Sequence, residues 1–465
     1  MADQDLAFAG LAGQAEAVRA GEASPSELVQ LHLERIERLE PQLNAFRVVR
    51  AERALAEAAE AEKRPPADGE APLYGVPIAV KDSHDVAGEL TTHGTGCVDV
   101  PAAEDCEMVK RLRAAGAIVI GKTNLPELAF AMFTESPTWG VTRNPWSTDR
   151  VPGGSSGGSG AAVAAGLVAA GTASDGAGSI RYPAAYCGVT GLKPTFGRSA
   201  MQGHHMERIT STIVSGPICA DAADCRLLGS ALFGEELAAG DAAGLRIGVV
   251  AGPISEDCAP AVRESCQEAI EALRAETGAE MREIEIEALD MAGLAAVLVG
   301  TTEGLGGITP QMLNGLGEEI GEVNRALIKY RMLLPAAVLL RAAKLRALLR
   351  RAIARAFEEV DLIAWPTVPA VAPPLARTDV ELPSGRIGAD PANVRGGGLA
   401  NLTGIPAISV PVGLSSDGMP IGLQLQAAWG RDSLLLDAAE ALERATDRRW
   451  VEALPPLARA ESAPA

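Results

Sequence analysis

Residues 150–160, RVPGGSSGGSG, hold three serines and five glycines, and what flanks them limits the chemistry they can do. A Gly/Ser linker needs no particular neighbours. Here NPWSTDRVP precedes the stretch and the Ala-rich AAVAAG follows it, which fits an ordered, tight loop. A phosphate-cradling P-loop needs Lys and then Ser/Thr after its last glycine, whereas this GSG runs into AAV. GGSSG (153–157) satisfies G-x-S-x-G with Ser155 at its centre, but that nucleophile elbow requires a strand immediately before the serine, and VPGG supplies none. It also requires a downstream histidine. The five histidines stand at 32, 84, 93, 204 and 205, so a Ser155–Asp175–His204 order is available but crowded. A histidine-based triad is disfavoured.

A lysine is the other base to consider. Only seven of the 41 basic residues are lysines, and Lys81 ends the apolar run GVPIAVKD (75–82). Desolvation at that position would depress its pKa and let the neutral amine accept a proton. The structural alternative is a lysine paired with Asp82 at a strand end. A second unusual serine, Ser179, lies in ASDGAGSIRYP (173–183), directly after Gly176, Ala177 and Gly178. Small residues in series let consecutive N–H groups turn inward as an anion nest, suited to the oxyanion of a tetrahedral intermediate. A simple turn is the structural alternative there.

These residues need elements to hold them. Residues 25–62 are helical in pattern, LYGVPIAVK (73–81) reads as a buried strand, 104–115 as a helix and AIVIGK (117–122) as a strand. A further helix is expected near 123–129, capped by Thr123 or Asn124. Small residues from 159 to 170 predict a close-packed helix, and LVAAGTA a returning strand. LRIGVVAG (245–252), DLIAWPTV (361–368) and AISVPVG (407–413) read as strands, with 255–360 mostly helical between them. Strands alternating with helices predict an α/β fold, a large mixed β-sheet core sandwiched by helices. The expectation is a single domain over 1–465, with its core in 60–250 and 360–450 and a mostly helical excursion at about 255–360.

The bulk composition narrows the partners. At 465 residues and 47% hydrophobic, the chain can bury a large core; with only 3% aromatics, that core must be built from small aliphatic side chains. A net charge of −19 argues against nucleic acid as a partner. The seven cysteines show no metal spacing and read as reduced, so a cytoplasmic location is expected, with no metal. The N-terminus lacks a signal-peptide pattern, and no run of 18 apolar residues predicts membrane insertion. The stretch 333–357 carries Arg341, Lys344, Arg346, Arg350, Arg351 and Arg355; it is expected to be an amphipathic helix packed on the body, with membrane docking as the alternative.

GVPIAVKD (75–82), GKTNLPELA (121–129), NPW (144–146), PGGSSGGSGAAVAAG (152–166), SDGAGSIRYPAAYCGVTGLKPTFGR (174–198) and NLTGIPAISVPVG (401–413) together resemble the amidase signature family, in order and in spacing, over essentially the whole chain. The resemblance implies a Ser–cis-Ser–Lys triad with Ser179 as nucleophile, Ser155 as the bridging serine after a cis peptide, and Lys81 as base. It implies an oxyanion hole from the backbone of Gly176, Ala177, Gly178 and Ser179, and a substrate-lining backbone at Ala129. Asp175 and Arg181 are expected to brace the loop as an ion pair. No cofactor is expected. The implied activity is that of a stand-alone amidase cleaving C–N bonds of small or aryl amides, and also carbamates (urethanes) and aryl esters. Its partner would be the small-molecule amide or carbamate, and the protein a monomer or homodimer. The alternative is the glutamine-hydrolysing subunit of a tRNA-dependent amidotransferase. Two departures weigh against that alternative: Ile213 in STIVSGP (211–217) replaces the family's acid, and 199–210 does not match the amidotransferase. The pocket walls are expected from 129–139 (Phe130, Met132, Phe133, Trp139), the 200–210 loop with His204 and His205, and the region near 300–340.

Overall fold

The stretch PIAVK forms a strand whose five residues are all buried, and its side chains alternate between two cores. Ile78 and Val80 join one cluster, with Val119 of the neighbouring strand. Ala79 points to the opposite face, with Ile118 and Ile120. A strand apolar on both faces must be covered on both faces, which dictates helices above and below the sheet.

The computed structural model describes residues 6–67, 69–200, 210–305, 320–376, 379–446 and 454–459. One 11-stranded mixed sheet organises them. In chain order its strands are β1 (Phe46–Val49), β2 (Pro77–Lys81), β3 (Ile118–Thr123), β4 (Ala170–Asp175), β5 (Thr190–Lys193), β6 (Val214–Cys219), β7 (Arg246–Val250), β8 (Glu280–Ile284), β9 (Leu362–Pro366), β10 (Ala407–Leu414) and β11 (Pro420–Ala427). Across the sheet they run β1-β3-β2-β4-β6-β5-β10-β11-β9-β7-β8. β2 is parallel to both β3 and β4, so these three strands end at the same edge. Loops leaving the carboxyl ends of parallel strands are where open α/β sheets place their ligands.

The principal helices are α1 (Gly10–Arg19), α2 (Pro25–Leu43), α3 (Ala51–Lys63), α4 (Glu107–Ala114), α5 (Gly157–Ala164), α6 (Arg181–Cys187), α7 (Ala222–Phe233), α8 (Pro260–Thr277), α9 (Ala292–Leu305), α10 (Glu322–Met332), α11 (Ala336–Glu359), α12 (Ala389–Thr403) and α13 (Asp432–Ala445). The first large cluster takes side chains from α1, α4, α7, α8 and α13; the opposite face is covered by α2, α3 and α5 at one end and α9, α11 and α12 at the other. The predicted α/β sandwich in a single domain is therefore present.

Local chemistry explains several boundaries. A capping box between Ser24 and Glu27, followed by Pro25, starts α2, and Asn44 in the left-handed region (φ 51°) stops it. The helical pattern over 25–62 is thus interrupted by β1. The close-packed helix predicted at 159–170 runs from Gly157 to Ala164, and the strand after it from Ala170 to Asp175. The helix expected near 123–129 is absent: only a 3-10 turn at Glu127–Ala129 forms, with Leu128 at φ 56° and Ala129 at φ 57°. Asn124 caps nothing there; its side chain bonds Thr142 and the Leu125 N–H. The mostly helical excursion contains one strand, β8, which pairs in parallel with β7. The basic segment is helix α11, with Leu349, Ala352, Ile353 and Ala356 buried. Its Arg346 donates to the Ser211 carbonyl (2.9 Å) and Arg350 stacks on Trp429, as expected of a helix packed on the body. Among the described residues, no helix is long and apolar enough to cross a membrane.

Candidate active site

Lys81 ends β2 and is fully buried. Its Nζ lies 2.7 Å from Ser155 Oγ, 2.8 Å from Ser156 Oγ and 3.0 Å from Ser174 Oγ. Asp82 is not its partner. That carboxylate pairs with Lys122 (2.7 Å) and Arg47 (2.8 Å), which sets aside the strand-end pairing considered from the sequence. Lys193, buried and pushed down to about 7 by that burial, donates to the Pro194 carbonyl (2.6 Å). Lys81 is the lysine that meets the serines.

Lys81 Nζ donates to each of the three hydroxyls, and Ser156 Oγ donates onward to the Ser174 carbonyl (3.3 Å). The sequence does not single out Ser156 and Ser174; each stands in a quoted motif, but only the fold shows that both reach the lysine.

Ser155 precedes α5, and the Gly154–Ser155 peptide is cis. The Ser156 N–H donates to the Ser179 carbonyl (3.3 Å), so the two serine segments lie against each other. Ser155 and Ser179 line one cavity of about 130 Å³. Gly176, Ala177, residues 128–132 including Ala129, and Thr212, Ile213, Ala296, Val297 and Arg331 also line it. Phe130 and Met132 thus face the cavity as expected. Phe133 instead packs in neighbouring apolar clusters, and Trp139 stacks against Arg47. His204 and His205 lie outside the described residues.

The loop after β4 is fixed by a buried ion pair. Arg181 bonds Asp175 through Nε (3.0 Å) and Nη2 (3.0 Å), and also reaches Gln424, Asn401 and the Gly397 carbonyl. Burial alone would raise the Asp175 pKa; the Arg181 charge and hydrogen bonds, aided by Lys193 and Asn401, outweigh it and hold the carboxyl at about 2. Asp175 also accepts from the N–H groups of Gly178 (2.6 Å) and Ile180 (3.2 Å). This corrects one expectation. The Gly178 N–H is spent on a carboxylate and is not available to an oxyanion.

Gly178 has its own requirement. It sits at φ 126°, and a Cβ there would lie 1.9 Å from Tyr182 Cζ. Tyr182 cannot yield easily, because its buried hydroxyl sits within hydrogen-bond reach of the Ala177 and Asn393 carbonyls, to one of which its single hydrogen is donated. Gly178→Ala is expected to cost about 3 kcal/mol or more, since positive-φ strain and overpacking each contribute roughly 1–3 kcal/mol. Urea unfolding of the variant measures this; an unchanged midpoint would show that the loop relaxes without penalty.

Comparison with known proteins agrees with this geometry. The family model described as Amidase matches residues 27–436. The chain is 39% identical over 447 residues to a protein of Mycobacterium tuberculosis named as a candidate amidase, AmiA2, covering 90% of this chain and 89% of that one. It is 36% identical over 483 residues to a glutamyl-tRNA(Gln) amidotransferase subunit of Methylococcus capsulatus, covering 94% and 97%. A solved amidase superimposes with a TM-score of 0.87 at 31% identity, over 94% of this chain and all of that one. With this fold, a family match over residues 27–436 and relatives above 30% identity across the chain, the chain belongs to the amidase signature family and is a hydrolase of amide C–N bonds.

Proposed function

We propose that the protein is a stand-alone amidase that hydrolyses small or aryl amides, and carbamates and aryl esters of similar shape, through an acyl-enzyme at Ser179. The observation that carries this reading is the 2.7 Å contact from Lys81 Nζ to Ser155 Oγ in the wall of the cavity that Ser179 lines. Neutral Lys81 takes a proton from Ser155 as Ser155 takes one from Ser179, and the Ser179 oxygen adds to the carbonyl carbon. The N–H groups of Gly176, Ala177 and Ser179 hold the oxyanion, and each such donor contributes about 3–4 kcal/mol to the barrier reduction. The proton returns through Ser155 to the leaving nitrogen, the C–N bond breaks, and water releases the acyl group by the same relay.

The cavity favours this reading over a glutamine-using amidotransferase component. Free glutamine carries an ammonium group that needs a counter-charge, and no Asp or Glu is among the described residues lining the cavity. Ile213, where the family's acid would stand, lines the cavity with an apolar residue. Seven cysteines scattered without metal spacing fit a reducing compartment and support a cytoplasmic enzyme.

The purified protein alone should turn over members of a panel of p-nitroanilides, primary amides and aryl carbamates. A silent panel, with glutamine hydrolysed only after partner proteins are added, would reassign it as one component of an amidotransferase.

A further inference from the structure

Arg331 is the one arginine or lysine among the described residues lining the cavity. Arg331 occupies the last turn of α10, its guanidinium 5.0 Å from the centre of the Phe130 ring. Its Nη1 is buried and has no hydrogen-bond partner, and no carboxylate pairs with it among the described residues. Burial without a counter-charge pushes its pKa below the ordinary arginine value. Ser83 and Thr212 are also among the residues lining this cavity, and their hydroxyls are buried without a partner. Leaving such an atom unsatisfied costs about 1–3 kcal/mol, and native proteins keep few of them. Of the three residues, Arg331 carries the charge, and a ligand that supplies a pair of acceptors would match its guanidinium.

The helix carrying Arg331 is tied to the turn that precedes Phe130. The Glu127 carboxylate accepts from the Gly321 N–H (2.9 Å) and from Asn324 Nδ2 (2.7 Å), joining the start of α10 to the turn that leads into residues 128–132. The guanidinium itself stacks over Phe130, which also lines the cavity. With no acid among the described lining residues, the cavity offers a counter-charge to an anion and none to an ammonium group.

We propose that Arg331 is a specificity-determining residue that binds a carboxylate on the acyl part of the substrate, so that preferred substrates are monoamides of short dicarboxylic acids lacking an α-ammonium group. The inference rests on the amidase reading above and names the substrate class of the same site. The guanidinium fork matches a carboxylate with two parallel N–H···O bonds, and the carboxylate in turn relieves the unpaired Nη1. The carbonyl at the other end of the acyl chain is then directed to Ser179.

The test compares kcat/KM for succinamate and glutaramate with kcat/KM for the neutral butyramide and valeramide. Wild-type protein should prefer the anionic amides by about 30-fold or more, as expected where a buried polar group is left unpaired by the wrong substrate. In Arg331→Gln this ratio should collapse towards one, and Arg331→Lys, which keeps the charge but not the fork, should restore part of it. Calorimetric titration with glutarate gives a second readout that needs no turnover: binding should be at least about tenfold weaker in Arg331→Gln. Equal ratios in wild type and Arg331→Gln, or glutarate binding indifferent to the substitution, would overturn the proposal. Turnover of neutral amides without discrimination would do so while leaving the amidase reading intact. Silence with all four amides, together with Arg331-dependent glutarate binding, would sink the stand-alone reading and leave the carboxylate site standing.

Discussion

Replacing Ser179 with alanine is expected to lower kcat by about 10⁵-fold or more, and replacing Lys81 with methionine should cause a loss of similar order. The two effects should not add. Groups that move one proton in a relay act as a unit, so the double variant should be scarcely worse than either single one. The geometry explains why Lys81 has no substitute: the lysine is wholly buried, and the oxygens around its amine at 2.7–3.0 Å are serine hydroxyls, which are poor bases. Methionine preserves the bulk of the stem while removing the amine, so thermal unfolding close to wild type would separate chemistry from folding. Initial rates on the best anilide, for both single variants and the double, decide the matter. Losses that multiply, or a Ser179→Ala enzyme retaining more than about 1% of kcat, would show that the nucleophile and its relay have been misplaced.

The second large effect concerns stability. Asp175→Asn should destabilise the protein by about 3–5 kcal/mol, because it leaves the Arg181 guanidinium buried without its counter-charge. Gln424, Asn401 and the Gly397 carbonyl still accept from Arg181, but they carry no negative charge. The pH dependence gives an independent readout. The folded pKa of Asp175, about 2, is depressed below its usual value of 3.8. Between those values the unfolded chain binds the proton and the folded one does not, so stability rises with pH there. The contribution is complete above roughly pH 4 and is lost as the pH falls towards 2. Unfolding free energies of wild type and Asp175→Asn should therefore converge on acidification through that window. His32 titrates elsewhere. Burial lowers its pKa from 6.5 to about 4, so its stabilising effect fades between those values in both proteins. A gap between wild type and variant that stays constant from pH 6 to pH 2 would mean that the Asp175 charge is not what matters.

Much of the arrangement is legible in the sequence because strand, loop and helix signals lie close together. GVPIAVKD announces a buried strand ending in lysine, and the small residues of SDGAGS announce a loop of exposed N–H groups. Position within that loop is less legible. Nothing in GAGS says that the third N–H turns back to Asp175, since that depends on how Arg181 orients the carboxylate. β8 is hidden for a different reason. EMREI is charged and half exposed at the sheet's edge, and it becomes a strand only because β7 offers it a parallel partner. The turn at Glu127–Ala129 reads as a helix because TNLPELA has capping residues and helix formers. Its left-handed Leu128 and Ala129 are set by tertiary contacts, including the Leu128 N–H bond to the His93 carbonyl (2.7 Å). Arg331 is equally silent. It is one basic residue among many in a helical stretch until the fold turns it towards Phe130.

The eight residues of α5, GGSGAAVA, are all buried. At Gly158, a single added methyl would lie 2.5 Å from the carbonyl oxygens of both Ala45 and Asn124. For anyone diversifying this enzyme by directed evolution, that helix marks where a library would be wasted. Most codons there would yield unfolded protein before any question of selectivity arose. Phe130, Met132, Ile213 and Val297 face the cavity from loops and a helix that pack on the body by their other residues, so randomising those four positions would sample new amides while sparing the scaffold.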